Sequence, residues 1–211
     1  MRVAGIDEAG KGPVIGPMVI CGVCCDEEFI ERLERIGVKD SKRLKPDERI
    51  RLADEIRKIC DVCVLKISAE EINELMESMT INDILRRAYV EIIRRLKPDV
   101  VYVDCPDVNP ERFADKISDE TGRRIIASHR ADELYPIVSS ASIIAKVERD
   151  IEIEKLKEIY GDFGSGYSSD KKTIEFLRKY IREKKKLPSI ARKKWKTLKR
   201  IVNYTLLEFS N

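Results

Sequence analysis

The 211-residue chain sets 41 lysines and arginines against 38 acids, a formal net charge of +3, too small to announce nucleic-acid binding by charge alone. A hydrophobic fraction of 43% allows one good-sized core plus a small appendage, while a charged fraction of 37% exceeds the usual share and favours a surface of ion pairs, as in thermophilic proteins. A single histidine, His129, leaves little material for nucleophilic triads or histidine-rich metal sites. No apolar run has membrane-spanning length and no charged-then-apolar leader precedes the first strand, so a cytoplasmic protein is expected.

In chain order, Val3 to Asp7 reads as a β-branched, apolar strand that ends in adjacent carboxylates, Asp7 and Glu8. Gly10-Lys11-Gly12 follows as a tight turn. Val14 to Cys25 reads as a long strand and Glu27 to Ile36 as a helix stopped by Gly37. Pro46 opens a helix to Ile59, as proline favours the first turn. Val62 to Ile67 is a strand. Ser68 then caps a short helix, with Glu71 completing a capping box. Thr80 to Leu96 is strongly amphipathic. Next come the strand closing at Asp104, a helix from Pro110 to Glu120, and a short strand from Arg124 to Ala127. Pro136 begins a long helix to Ile159, ended by Gly161. A loop rich in glycine and serine runs to Lys171, a helix from Thr173 to Glu183, and a last basic helix opened by Pro188 and reaching about Val202. The expected class is α/β, with a domain over residues 1–160 and a recognition loop plus basic helical region over 161–211.

Two pairs, Cys21-Gly-Val-Cys24 and Cys60-Asp-Val-Cys63, have CxxC spacing. Both lie in strand-like runs, where residues i and i+3 face opposite ways. Buried thiols acting as small hydrophobes therefore outrank a zinc site, and a disulfide between the strands suits a hyperthermophilic source.

The chemistry gathers at strand ends. Asp7 and Glu8, Asp104, and Asp132 each follow a separate apolar run. In open α/β sheets ligands sit beyond the carboxyl ends of strands, so the four acids can converge despite their separation in sequence. Oxygen ligands of this kind suit hard divalent cations. Glycines beside Lys11 let backbone groups approach a phosphate or sugar.

Seven stretches carry a family resemblance: Gly5-Ile-Asp-Glu-Ala-Gly-Lys-Gly12, Gly16-Pro-Met18, Lys39-Asp-Ser-Lys42, Tyr102-Val-Asp104, Ala131-Asp132 with Tyr135-Pro-Ile-Val-Ser139, Ala141 through Asp150, and Gly164-Ser-Gly-Tyr167-Ser-Ser-Asp170. In order and over nearly the whole chain, they resemble the type 2 ribonucleases H of archaea. The family usually has arginine where this chain has Lys11, which keeps the charge and loses the planar fork of donors.

The resemblance implies a ribonuclease H-like mixed sheet of five strands with flanking helices. It implies an endonuclease that cuts the RNA-containing strand of RNA–DNA hybrids, or of duplexes with embedded ribonucleotides. The cut falls 5′ of a ribonucleotide and leaves 3′-hydroxyl and 5′-phosphate ends. Asp7, Glu8, Asp104 and Asp132 match the family's four acidic positions, where two magnesium or manganese ions would sit about 4 Å apart. Asp7 is the candidate bridge between the ions, Glu8 and Asp104 flank one, and Asp132 holds the ion on the nucleophile side. Gly10, Lys11 and Gly12 would read the ribose 2′-hydroxyl, and Tyr167 would pack on the following sugar. Lys42, Lys146 and Arg149 are candidates for backbone phosphates, and Ser139, Ser142 and Lys146 can share one helix face, Ser139 as a candidate substrate contact, with small packing residues the equal alternative for Ser139 and Ser142. In the basic segment around Trp195 the tryptophan reads as a packing anchor and some neighbouring cations as DNA contacts.

The tail from Asn203 through Leu206 to Phe209 partly resembles the short motif that docks on replication sliding clamps, with asparagine for the usual glutamine and one aromatic. The alternative is that Leu206 and Phe209 pack back on the last helix. A monomer is expected. The rival functions are a DNA nuclease of the same fold, such as a junction resolvase, and a non-catalytic nucleic-acid or zinc-binding module.

Overall fold

The computed structural model describes residues 1–38 and 44–207, with side chains through 203. The expected strand ends and phases are largely observed. β1 (Arg2–Ala9) pairs antiparallel with β2 (Met18–Asp26), Arg2 opposite Asp26 and Ala9 opposite Val19. β1 also pairs in parallel with β4 (Val100–Asp104), which pairs in parallel with β5 (Arg124–Ser128). With β3 (Asp61–Ile67) on the other side, the described residues form one mixed sheet in the order β3-β2-β1-β4-β5.

A 3-10 turn at Glu27–Phe29 leads into α1 (Ile30–Arg35). α2 (Pro46–Ile59) starts on its proline. α3 (Ala69–Leu75) is capped as expected, with Ser68 Oγ accepting from Glu71 N and Glu71 accepting from Ser68 N. α4 (Ile81–Leu96) has the same reciprocal cap from Thr80 and Asp83. Its apolar stripe of Leu85, Ala88, Tyr89, Ile92 and Leu96 is buried. α5 (Pro110–Thr121) follows β4. A short α6 (Ala131–Leu134), absent from the sequence reading, precedes α7 (Pro136–Tyr160). α8 (Lys171–Lys184) and α9 (Lys196–Leu207) complete the described residues.

Contacts divide the chain into two compact units. One comprises residues 1–9, 19–66 and 80–148; the other comprises 10–18, 67–79 and the chain from Arg149 on. In the first, Val3, Val23, Leu52, Ile56, Val138, Ile144 and their neighbours form the core. Gly5 is required there, because a Cβ on it would lie 2.4 Å from the Ile137 carbonyl carbon and oxygen. Its absence lets α7 rest directly on β1. In the second, Val14, Ile15, Phe163, Leu177, Ile190 and Leu198 form a separate cluster.

Two boundaries differ from expectation. Residues 14–17 do not extend β2. Val14 N and Ile15 N donate to Gly166 O, Gly16 N donates to Ile190 O, and Ile15 bridges Ala191. Nor does Pro188 open a helix. Residues 188–195 form turns and that one bridge, since Ile190, Ala191 and Arg192 are buried against the 14–16 segment and supply its backbone partners. Backbone groups already bonded to a distant strand cannot also make an i to i−4 ladder. The described helices include none long and apolar enough to cross a membrane.

Candidate active site

The first unit brings three of the four strand-end acids together, Asp7, Glu8 and Asp104. Asp7 and Glu8 leave β1 on opposite faces. Asp7, only 5% exposed, lies on the face covered by α7; it accepts from Glu8 N at 2.7 Å and from the Ser142 hydroxyl of α7. Glu8 lies on the α4 face, where the fully buried Tyr89 hydroxyl donates to it at 2.6 Å. The same hydroxyl is 3.2 Å from the Asp104 carbonyl. Asp104 closes β4, and its carboxylate accepts from Ala131 N at 2.7 Å. That bond fixes the start of α6, whose next residue is the buried Asp132.

Electrostatics register the convergence. Burial raises the Asp7 carboxyl well above its ordinary value, and the charges of Glu8 and then Asp104 raise it further. The Ser142 and backbone hydrogen bonds oppose that shift. The Tyr89 hydroxyl is likewise pushed well up by burial, then by Glu8, Asp7 and Asp104. Three acids thus repel one another around a buried point, which is costly without a compensating cation.

The donor set fits hard divalent ions, being all oxygen. Ser128, paired in register with Asp104, adds a buried hydroxyl with no partner among the described residues. No three His, Cys, Asp or Glu side chains among the described residues already form a closed ligand cluster. The oxygens of Asp7, Glu8 and Asp104 are instead engaged by the protein donors just named.

The second unit holds the glycine turn. Gly10 has φ +85°, and a Cβ there would meet Arg149 Nε at 2.4 Å. A Cβ on the exposed Gly12 would lie 3.9 Å from the Tyr167 ring. Tyr167 is 42% exposed, with the Arg149 guanidinium 5.3 Å from its ring centroid. The turn is anchored from behind. Arg192 donates to Lys11 O at 3.1 Å and to Gly16 O at 2.9 Å, and Trp195 Nε1 donates to Gly12 O at 3.1 Å. Arg192 is fully buried, 5.0 Å from the Trp195 ring, and its pKa is lowered to about 9 by burial and by the nearby Arg149 charge.

The remaining candidates divide. Lys146 is half-buried on α7. Ser139 and Arg149, expected at the substrate, are interior. Ser139 is fully buried and donates to Val38 O, while Arg149 is 6% exposed with two nitrogens that have no hydrogen-bond partner among the described residues. Arg192, in the basic segment of which some cations were expected to contact DNA, is interior too. Lys42 and Phe209 lie outside the described residues, and so does the Leu206 side chain. Sequence reasoning missed Tyr89, Ser128 and Arg192 as site residues. For Tyr89 a signal existed: a buried tyrosine in an apolar stripe needs a partner for its hydroxyl.

The family model for ribonuclease HII matches residues 4–198. The chain belongs to the ribonuclease HII family. A ribonuclease HII of Archaeoglobus fulgidus is 55% identical over 206 residues, covering 98% of this chain and 99% of that one. Among solved structures, the PCNA:RNase HII complex from Archaeoglobus fulgidus aligns with a TM-score of 0.89 at 55% identity, over 93% of this chain and 96% of that one. Ribonuclease H2 from Pyrococcus horikoshii aligns with a TM-score of 0.91 at 46% identity, over 98% and 99%. The fold is therefore the ribonuclease H-like one, and the protein is a type 2 ribonuclease H acting on the RNA of RNA–DNA hybrids.

Proposed function

We propose that this ribonuclease HII cuts hybrids and duplexes with embedded ribonucleotides on the 5′ side of a ribonucleotide, leaving 3′-hydroxyl and 5′-phosphate ends, with Asp7, Glu8, Asp104 and Asp132 holding two divalent ions. The observation that carries this reading is the gathering of Asp7, Glu8 and Asp104 at one place, Glu8 N donating to the Asp7 carboxylate and the one Tyr89 hydroxyl reaching both the Glu8 carboxylate and the Asp104 carbonyl. Magnesium or manganese bound there would supply charge to activate water and to offset the charge developing on the phosphate. The chain's own groups set the ligands in place. Ser142 and the Glu8 N–H orient Asp7, Tyr89 holds Glu8, and Ala131 N holds Asp104.

Gly10, Lys11 and Gly12 read the ribose through backbone groups, on a turn that Arg192 and Trp195 hold in place through the Lys11 and Gly12 carbonyls. Tyr167, exposed beside Gly12, stacks on the neighbouring sugar. Lys42 and Lys146 contact backbone phosphates. The tail through Leu206 and Phe209 docks on a sliding clamp, a reading supported by the clamp complex of the Archaeoglobus fulgidus relative.

The test is cleavage of a DNA duplex carrying one ribonucleotide, with and without magnesium or manganese. Cleavage 5′ of the ribonucleotide only with metal is expected. Cleavage of an all-DNA duplex, or cleavage persisting in a chelator, would overturn the assignment.

A further inference from the structure

Arg149 is a buried cation that neither the carboxylates nor the apolar clusters account for. It lies on α7 in the second unit, 6% exposed, and its Nε and Nη2 are buried with no hydrogen-bond partner among the described residues. An unpartnered buried charge is costly, and an apolar side chain of similar length would fill the same space at less cost. The guanidinium is wedged between two loops. On one side is the glycine turn, where a Cβ on Gly10 would lie 2.4 Å from Arg149 Nε and 2.6 Å from its Cδ. On the other is the tyrosine loop, where a Cβ on Gly166 would lie 3.6 Å from Nη2 and the Tyr167 ring centroid is 5.3 Å from Cζ. The backbone of that loop is bonded at several points. Gly166 O accepts from Val14 N and Ile15 N, Gly166 N donates to Thr173 Oγ1 at 3.0 Å, and Asp170 N donates to Tyr167 O at 3.1 Å. None of these bonds fixes the Tyr167 ring, which is 42% exposed and lies against Arg149.

We propose that Arg149 is a positioning residue for recognition of the RNA–DNA junction, holding the Tyr167 ring at a set place beside the Gly10-Lys11-Gly12 turn so that the ribose and the sugar after it are read together. This rests on the reading of Tyr167 as the sugar-stacking residue. Because Arg149 is buried and the ring partly exposed, the cation takes the inward face of the ring and leaves the outward face for the sugar. A cation over an aromatic face is held more strongly when it is desolvated. A carboxylate partner would satisfy the guanidinium and draw it off the ring, so the missing partners and the ring contact have one explanation. Two groups that read adjacent sugars need a fixed separation, since a misplacement of about 1 Å can cost about a hundredfold in rate.

The test uses the full chain with Arg149→Met, Arg149→Gln, Tyr167→Ala, and Arg149→Met combined with Tyr167→Ala. Cleavage kinetics with magnesium are measured on a DNA duplex carrying one ribonucleotide and on a continuous RNA–DNA hybrid, beside thermal melts. The quantity read is the ratio of kcat/KM on the first substrate to that on the second. Arg149→Met is expected to melt at or above the wild-type temperature, because it removes an unpartnered buried charge, and to lower the ratio by about three- to thirtyfold. Tyr167→Ala is expected to lower the ratio at least as far, and the double variant no further than Tyr167→Ala alone. A merely structural arginine would lower the melting temperature and both rates together, leaving the ratio unchanged. An unchanged ratio in Arg149→Met beside a lowered one in Tyr167→Ala would overturn the positioning role and leave the reading of Tyr167 standing. An unchanged ratio in Tyr167→Ala would overturn both. Losses that add in the double variant would mean that Arg149 does not act through the ring, and would overturn the proposal. If Arg149→Met does not fold, Arg149→Gln is scored by the same ratio; failure of both to fold would make the arginine structural and overturn the proposal as well.

Discussion

Tyr89→Phe tests how the carboxylates are held. The substitution keeps the ring, its edge-on contact with Phe113 at 5.8 Å and its place in the buried α4 stripe, and removes only the hydroxyl. That hydroxyl donates to Glu8 at 2.6 Å, and a hydrogen bond to a charged group contributes about 1.5–3 kcal/mol. Glu8 is half-buried, so water recovers part of the loss, and a net destabilisation of about 1–2 kcal/mol is expected. For a chain of this size that lowers the melting temperature by roughly 2–8 °C. If the same bond positions Glu8 for metal, the transition state loses a similar amount, a fall in kcat of about fivefold to thirtyfold. The metal concentration for half-maximal activity should rise, and duplex binding should hold. The assay is single-turnover cleavage across a magnesium titration, read beside thermal melts. Unchanged kcat and metal midpoint, with the melting temperature lowered as expected, would refute a positioning role for Tyr89.

Other perturbations separate chemistry from scaffold. Asp7→Asn should abolish cleavage and, in chelator, stabilise the protein at neutral pH by about 0.5–2 kcal/mol. The sign follows from the raised Asp7 carboxyl: its stabilisation is complete below the ordinary carboxylate range and is lost as pH rises through the elevated value, so wild type should weaken with rising pH where the variant does not. Gly10→Ala forces an L-residue to φ +85° and sets a Cβ 2.4 Å from Arg149 Nε and 2.8 Å from Pro17 O, costing about 2–5 kcal/mol in denaturant melts. Gly12→Ala meets only ordinary contact at 3.9 Å and should leave stability intact while lowering cleavage at a single ribonucleotide, which a cleavage assay beside a melt would show. A chain ending at Val202 keeps the buried Leu198 and Ile201; it should retain nuclease activity and lose clamp binding in a calorimetric titration.

Much of the candidate site was legible because its signals are local. A β-branched run ending in Asp7 and Glu8 states both a strand and its chemistry within a few residues, and the Ser68–Glu71 and Thr80–Asp83 boxes announce their helices in the same way. Patterns of period two or 3.6 place a side chain on a face and say nothing about what covers that face. The unbroken apolar stretch from Val14 to Cys25 therefore hid a division at Met18, imposed by bonds from Val14 and Ile15 to Gly166, more than a hundred residues away. Arg149 and Arg192 carry the charge of surface residues. Folding puts both inside, Arg192 donating to the Lys11 and Gly16 carbonyls and Arg149 filling the space opened by Gly10. Tyr89 was visible as part of a helix stripe, but only packing α4 on the sheet brought its hydroxyl to Glu8. Residue types and short spacings specify which groups can act. Long-range backbone pairing and burial choose their partners, because those contacts join segments that no local pattern connects.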